Sequence, residues 1–411
     1  MKKYIFTLIF AILLVSIACS FCSCEESVPT TTLYVYNWGE YISDGSEGTL
    51  DVNAEFEKYY LETYGEHVVV NYSTFSSNES LYDKISSGAV KYDIIIPSDY
   101  MIERMISQDL LAPLDFDNIP NYQYIHEDFK GEGAYYDPNN LYSVPYTYGM
   151  VGVIYNSMLV DENDSDIGSW SLMWDDTYAG NILQFNNSRD AFGTALYYLG
   201  YDVNDATEDQ WAEALELLKN QKDIVQGYVM DEIFNKMSGN SAAISAYYAG
   251  DYLTMYGNNE NLAFYYPSEG TNIYIDAMCI PAASEHKLIA ERYINFMLSE
   301  QIAVANAEYT CYASPNTLVT QNAEYQDYMA TIHPDAMSIL YNEDHSIKTT
   351  FYQNLSEEKL TMLNRLWEEL KIDSSIGNVF YVICGVMVAI LVVLATFGWV
   401  RKKKREKYYD M

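Results

Sequence analysis

Tyr92-Asp93-Ile94-Ile95-Ile96-Pro97, followed at once by Ser98-Asp99-Tyr100, is the stretch on which the fold turns. A short apolar run that stops at a proline has the form of a parallel strand buried on both faces. Two more strand-like runs precede it, Thr32 to Tyr36 and Val68 to Tyr72. Between them, Leu50 to Tyr60 carries Val52, Phe56 and Tyr59/Tyr60 at helical spacing. Leu81 to Ile85 and Tyr100 to Ile106 are predicted as further helices. The order βαβαβα is that of a parallel sheet flanked by helices.

Downstream, Tyr142 to Tyr155 is strand-like but broken by Pro145 and Gly149, which suits a first crossing into a second lobe. That lobe is predicted to continue with strands at Asn181 to Phe185 and Ala242 to Tyr247, and helices at Ala191 to Leu199 and Gln210 to Asn220. Asn272 to Ile280 is a candidate second crossing, and helices at His286 to Ser299 and Glu358 to Leu370 follow. The result is a two-lobed α/β body with a cleft between the lobes.

Both ends stand apart from this body. Lys2 and Lys3 precede an apolar run to Ile17 and then Ala18-Cys19, the pattern of a signal segment over residues 1–24. Residues 376–400 carry no charge, and roughly 20 such residues cross a bilayer as a helix. Arg401, Lys402, Lys403, Lys404, Arg405 and Lys407 come directly after, so the tail 401–411 is expected to stay in the cytoplasm and the body outside.

The charge narrows the function. The 411 residues carry 23 Lys and Arg against 58 Asp and Glu, a formal charge of −35. Eight of those bases lie in the terminal segments, so the exported body is more acidic still. Such a polyanion repels a phosphate backbone, which excludes nucleic acid as the leading partner and favours cations.

Cysteine usage fits a body held by its core. Cys19, Cys22 and Cys24 sit at the signal boundary and Cys384 in the apolar run, leaving Cys279 and Cys311. Two are too few for a disulfide framework. Cys19 is a candidate lipidation site: Ala18 suits such a signal, although Ser16 stands where Leu is usual. The five histidines have no H-E-x-x-H or C-x-x-C company, so no metal or other cofactor is expected.

Ligands of open parallel sheets bind beyond the carboxyl ends of the strands. Those ends carry Trp38 and Tyr41, then Ser98 and Tyr100, then Asn187 and Asp190, then Tyr248 and Asp251. Tyr274 and Asp276 lie within the last crossing. With 41 tyrosines in the chain, a single loop Tyr says little, and Asp190 and Asp251 read equally well as helix caps. Asp276 differs, because it interrupts an apolar strand and a buried carboxylate needs a partner. Aromatics and carboxylates together suit a slim organic polycation.

At these residues a family resemblance emerges. LYVYNWGEYI (33–42), YDIIIPSDYMIERM (92–105), SVPYTYG (143–149), Ala249-Gly250-Asp251, YYPSEGTNIYIDAMCIP (265–281) and CYASPN (311–316) occur in register. The chain resembles, over about residues 32 to 370, the periplasmic spermidine/putrescine-binding proteins of ABC importers. The resemblance implies a type II periplasmic-binding-protein clamp. It also implies a crossing order: residues 30–146 in lobe 1, 147–275 in lobe 2, 276–318 back in lobe 1 and 319–372 back in lobe 2.

It also implies roles. Trp38 and Tyr41 match aromatics flanking the polyamine chain, and Ser98 and Tyr100 match second-loop contacts. Asp190 stands where the family has a Glu for one amino end, and Asp251 matches an Asp of putrescine-preferring relatives. Asp276 matches the family's most characteristic carboxylate, Tyr312 a Tyr of the CYASPN-like segment, and Gln353 a Gln near the far end of the ligand. Tyr248 and Tyr274 replace the usual Trp, Gly39 a Thr or Ser, and Asn187 the acid of spermidine-preferring members. With that acid missing, putrescine is expected to bind at least as tightly as spermidine.

The expected function is therefore extracellular polyamine capture for an ABC permease, by a protein anchored in the membrane. A polyamine-sensing ectodomain working through a membrane partner is the first alternative, and the same fold holding another small cationic solute is the second. An enzyme is disfavoured, since no G-x-S-x-G, H-E-x-x-H or phosphate-cradling loop is present.

Overall fold

The computed structural model describes residues 29–137, 139–342 and 345–372, and the single positions 386, 387, 390, 393, 396 and 401. The signal segment 1–24 with Cys19 lies outside the described residues. So does the apolar run 376–400, apart from Val386, Met387, Ile390, Val393 and Thr396, and the tail apart from Arg401. Among the described residues no helix is long and apolar enough to cross a membrane.

The first lobe is built as the alternation of strand and helix predicts. Strands β1 (Thr30–Trp38) and β2 (His67–Phe75) run parallel, joined by the helix Val52–Tyr64. Asp51 caps that helix through its side chain, and Gly65 ends it in the left-handed conformation that glycine adopts without strain. The helix Asn78–Ser86 opens with a reciprocal Ser77–Ser80 capping box and leads to β3 (Ile94–Ile95), parallel to β1. Tyr92 to Ile96 is buried throughout, the environment a continuous apolar run demands. Buried Asp93 is satisfied by the Tyr34 amide at 3.0 Å and the Ser284 hydroxyl at 2.7 Å.

Strand β4 (Ser143–Asn156) belongs to both lobes. Its residues up to Met150 pair antiparallel with β9 (Thr271–Cys279), which borders β3. From Val151 onward it pairs with β7 (Ile244–Tyr248) and with β8 (Leu262–Tyr265). Parallel strands β5 (Ile182–Phe185) and β6 (Val225–Val229) extend the second sheet beyond β7. β10 (Thr349–Phe351) adds to β9 in parallel. Two strands, β4 and β9, therefore carry the chain between lobes.

The apolar cores divide accordingly. Leu33, Val35, Phe56, Ile94 and Ile96 centre one cluster of the first lobe, joined by Met278, Ile280 and Ile294 from the returning chain. Trp170, Phe185, Phe192, Trp211 and Leu253 centre that of the second, joined by Leu363, Leu366 and Leu370. The helix Glu300–Thr310 stands between them. Asn306 accepts from the Ser43 amide of the first lobe at 3.0 Å, while Ala303 and Ala307 enter the second core. Cys279 and Cys311 are buried free thiols.

Candidate functional site

The strand ends converge on a cavity of about 760 Å³ between the lobes, counting its open mouth. Trp38, Gly39 and Tyr41 enter from the end of β1, and Ser98 and Tyr100 from the turn after β3. Asn187 and Asp190 come from the start of the helix Ser188–Leu199 beyond β5. Tyr248 and Asp251 come from the junction of β7 with the helix Ala249–Tyr256. Asn272, Tyr274 and Asp276 alternate along β9 and so share one face, and Tyr312 closes the side. Eleven of the twelve residues singled out in the sequence thus line one cavity.

The twelfth does not. Gln353 is exposed, and its backbone rather than its side chain is engaged, by Asn204 and Arg189. Its neighbour Tyr352 lines the cavity instead. Side chains alternate sides in extended chain, so a one-residue slip in a loose alignment exchanges the inward residue for the outward one.

The carboxylates are held in a common way. Tyr41 donates to Asp276 at 2.6 Å, Tyr248 to Asp190 at 2.7 Å and Tyr312 to Asp251 at 2.8 Å. Tyr100 donates likewise to Glu79 at 3.0 Å, and Glu79 lines the cavity too, although the sequence reading passed over it. Each phenol aims its acid without adding a positive charge, whereas a lysine would neutralise it. Asp231, also unforeseen, joins them from beyond β6. Among the described residues, no Lys, Arg or His lines this cavity.

Burial without a counter-cation shows in the titration. Desolvation pushes the Asp251 carboxyl up to about 8 and that of Asp276 up to about 6. Desolvation also raises Asp190, Glu79 and Asp231. No donor reaches Oδ1 of Asp276 with normal hydrogen-bond geometry, although the Ser98 hydroxyl is near enough to favour its ionised form. The Tyr274 hydroxyl likewise makes no hydrogen bond of normal geometry, although the Tyr312 side chain is near it.

Glycines make room for the aromatic walls. A Cβ on Gly250 would lie 2.5 Å from the Tyr312 ring, and one on Gly149 would lie 2.5 Å from the Tyr274 hydroxyl. Tyr41 meets Tyr312 edge-on at 4.8 Å, and Tyr248 meets Tyr274 at 5.3 Å. Arg189 is beneath this wall. Its guanidinium covers the Tyr352 ring at 4.4 Å and donates to Val203 and Asn204.

Both unforeseen acids follow the same strand-end rule. Glu79 comes just after β2, in the run Ser76-Ser77-Asn78-Glu79. Asp231 comes just after β6, whose sequence VQGYV has too little apolar periodicity to announce a strand.

A sequence model of bacterial extracellular solute-binding proteins matches residues 53–332. The chain belongs to that family. Its members are carriers rather than catalysts, and the body described above is an extracellular solute-binding module. The spermidine/putrescine-binding periplasmic protein of Escherichia coli K12 is 29% identical over 345 residues, which is 81% of this chain and 94% of that protein. The putrescine/cadaverine-binding protein of Pseudomonas aeruginosa is 25% identical, over 84% and 95% of the two chains. A solved structure of a putative spermidine/putrescine ABC transporter from Listeria monocytogenes superposes with a TM-score of 0.73. It is 32% identical, and the match covers 83% of this chain and 99% of that one.

Proposed function

We infer that this protein captures a linear polyamine outside the cell and delivers it to the permease of an ABC importer. One observation carries this reading: among the described residues, five carboxylates and no cationic side chain line a single aromatic cleft. Hydrogen bonds to charged groups contribute about 1.5–3 kcal/mol each. An aromatic face adds about 0.5–2 kcal/mol per ammonium. A chain of amines joined by methylenes presents both kinds of surface at once. The relatives named above for spermidine, putrescine and cadaverine support the same solute class. Trp38, Tyr41, Ser98, Tyr100, Asn187, Asp190, Tyr248, Asp251, Tyr274, Asp276 and Tyr312 are its proposed contacts, with Tyr352 in place of Gln353.

The body is tethered, in this reading, by residues 376–400. Val386, Met387, Ile390 and Val393 are helical and exposed, an arrangement that suits lipid better than water. A tether beside the permease raises the local concentration of loaded carrier.

Thermal unfolding of the detergent-solubilised full chain tests the solute class. A ligand at 100 times its dissociation constant stabilises by about 2.7 kcal/mol. Putrescine and spermidine are expected to raise the melting temperature, and n-butylamine, with one charge, is not. Equal shifts with all three would count against recognition by multiple ammonium groups.

A further inference from the structure

The resemblance leaves one amino end of the ligand short of an acid, because Asn187 replaces it. The Asn187 amide is committed elsewhere: it donates to Asp190 at 2.8 Å, and its oxygen caps the helix through the Asp190 amide at 2.8 Å. The fold brings a different carboxylate to the same cavity. Glu79 lies in the first turn of the helix Asn78–Ser86 and faces the cavity from the first lobe. Asp190 faces it from the second. Desolvation is the main influence holding the Glu79 carboxyl above its usual range, and the charge of Asp190 adds to it, so the two sense each other across the gap. The charge of Arg189 acts on both carboxyls in the opposite sense, but its guanidinium is tied to Val203 and Asn204 and it does not line the cavity. Elsewhere, Asp276 lines the same cavity and keeps a buried Oδ1 without a hydrogen bond of normal geometry, an independent sign that this space takes a donor-bearing ligand.

We propose that Glu79 is a further ligand-binding residue, pairing with Asp190 across the cleft to hold one terminal ammonium of the polyamine between the two lobes. This rests on the polyamine reading and adds to it. An ammonium offers three donors and no acceptor, so two opposed carboxylates suit it better than one. In the empty protein the same pair sets like charges on opposite lobes and works against closure. A bound cation reverses the sign, which makes Glu79 a contributor to closing as well as to affinity.

The test compares Glu79→Gln with Tyr100→Phe in the full chain in detergent, by calorimetric titration with putrescine and by melting without ligand. Gln keeps an oxygen to accept from Tyr100 and removes only the charge. Glu79→Gln is expected to weaken putrescine about tenfold or more. It should leave the ligand-free melting temperature unchanged or higher, and Tyr100→Phe should weaken binding less. Affinity within about twofold of wild type would overturn the proposal. So would a lower ligand-free melting temperature in Glu79→Gln, since that makes Glu79 a structural support. Absence of polyamine binding by wild type would overturn the polyamine reading and this inference together, so the two failures are distinguishable.

Discussion

Tyr41 donates its phenolic proton to Oδ2 of Asp276 at 2.6 Å and sits 2.6 Å from the Thr147 hydroxyl. Since that proton is committed to Asp276, Thr147 is the donor in the second bond. The chain Thr147–Tyr41–Asp276 fixes one carboxylate oxygen and leaves the other without a hydrogen bond of normal geometry.

Replacing Asp276 should therefore remove the centre of the site. Asp276→Ala is expected to cost about 3–5 kcal/mol of polyamine binding, because it leaves a desolvated ammonium unpaired. Calorimetric titration checks this, and unchanged affinity would end the assignment.

Protons should move against the ligand. The Asp251 carboxyl, pushed up to about 8 by burial, returns to about 3.9 in the unfolded chain. The empty native state thus holds the extra proton, and its stability should fall as pH rises from about 4 to about 8. Asp276, pushed up to about 6, adds to the lower part of that window. A polyammonium ion favours the ionised carboxylates, so affinity should rise with pH over the same range and binding at pH 7 should release protons. Titrations in phosphate and in Tris at pH 7 should then give different apparent enthalpies. Identical enthalpies would contradict the linkage.

The Gly250–Tyr312 contact offers a steric test. A methyl at 250 would meet three atoms of the Tyr312 ring within 2.8 Å, so the ring must shift and its bond to Asp251 must weaken. Gly250→Ala is expected to cost about 1–3 kcal/mol of binding. Binding equal to wild type would mean that Tyr312 does not shape the site.

Orientation is open to a direct experiment. Protease added to intact cells should digest the body and spare a tag fused after Met411, because the basic cluster directly follows the proposed span. A digested tag beside a protected body would reverse the topology.

Much of this site was legible because strand ends announce themselves. Ile94 to Ile96 is apolar, ends at Pro97 and delivers Ser98 and Tyr100 to the cleft, so chemistry could be read from position alone. Asp276 was visible as an acid inside an apolar strand. What stayed hidden depended on weak strands. β10 is three residues long and owes its existence to pairing with β9, so nothing local fixed whether Tyr352 or Gln353 points inward. Asp231 follows the poorly patterned β6, and its seat beside Gly39 is a contact between lobes: a Cβ at 39 would lie 2.6 Å from its Oδ2. The expectation that putrescine binds at least as tightly as spermidine rested on the acid missing at Asn187 and on Asp251. Glu79 and Asp231 also line the cavity, so a shortage of carboxylates no longer supports the shorter ligand.

Isothermal titration of the detergent-solubilised full chain with putrescine and spermidine tests the central claim most directly. Saturable one-to-one binding of at least one of them is expected, with a dissociation constant of about 1 μM or tighter, equivalent to about 8.2 kcal/mol. No saturable heat from either, in a sample that unfolds cooperatively on heating, would contradict polyamine capture.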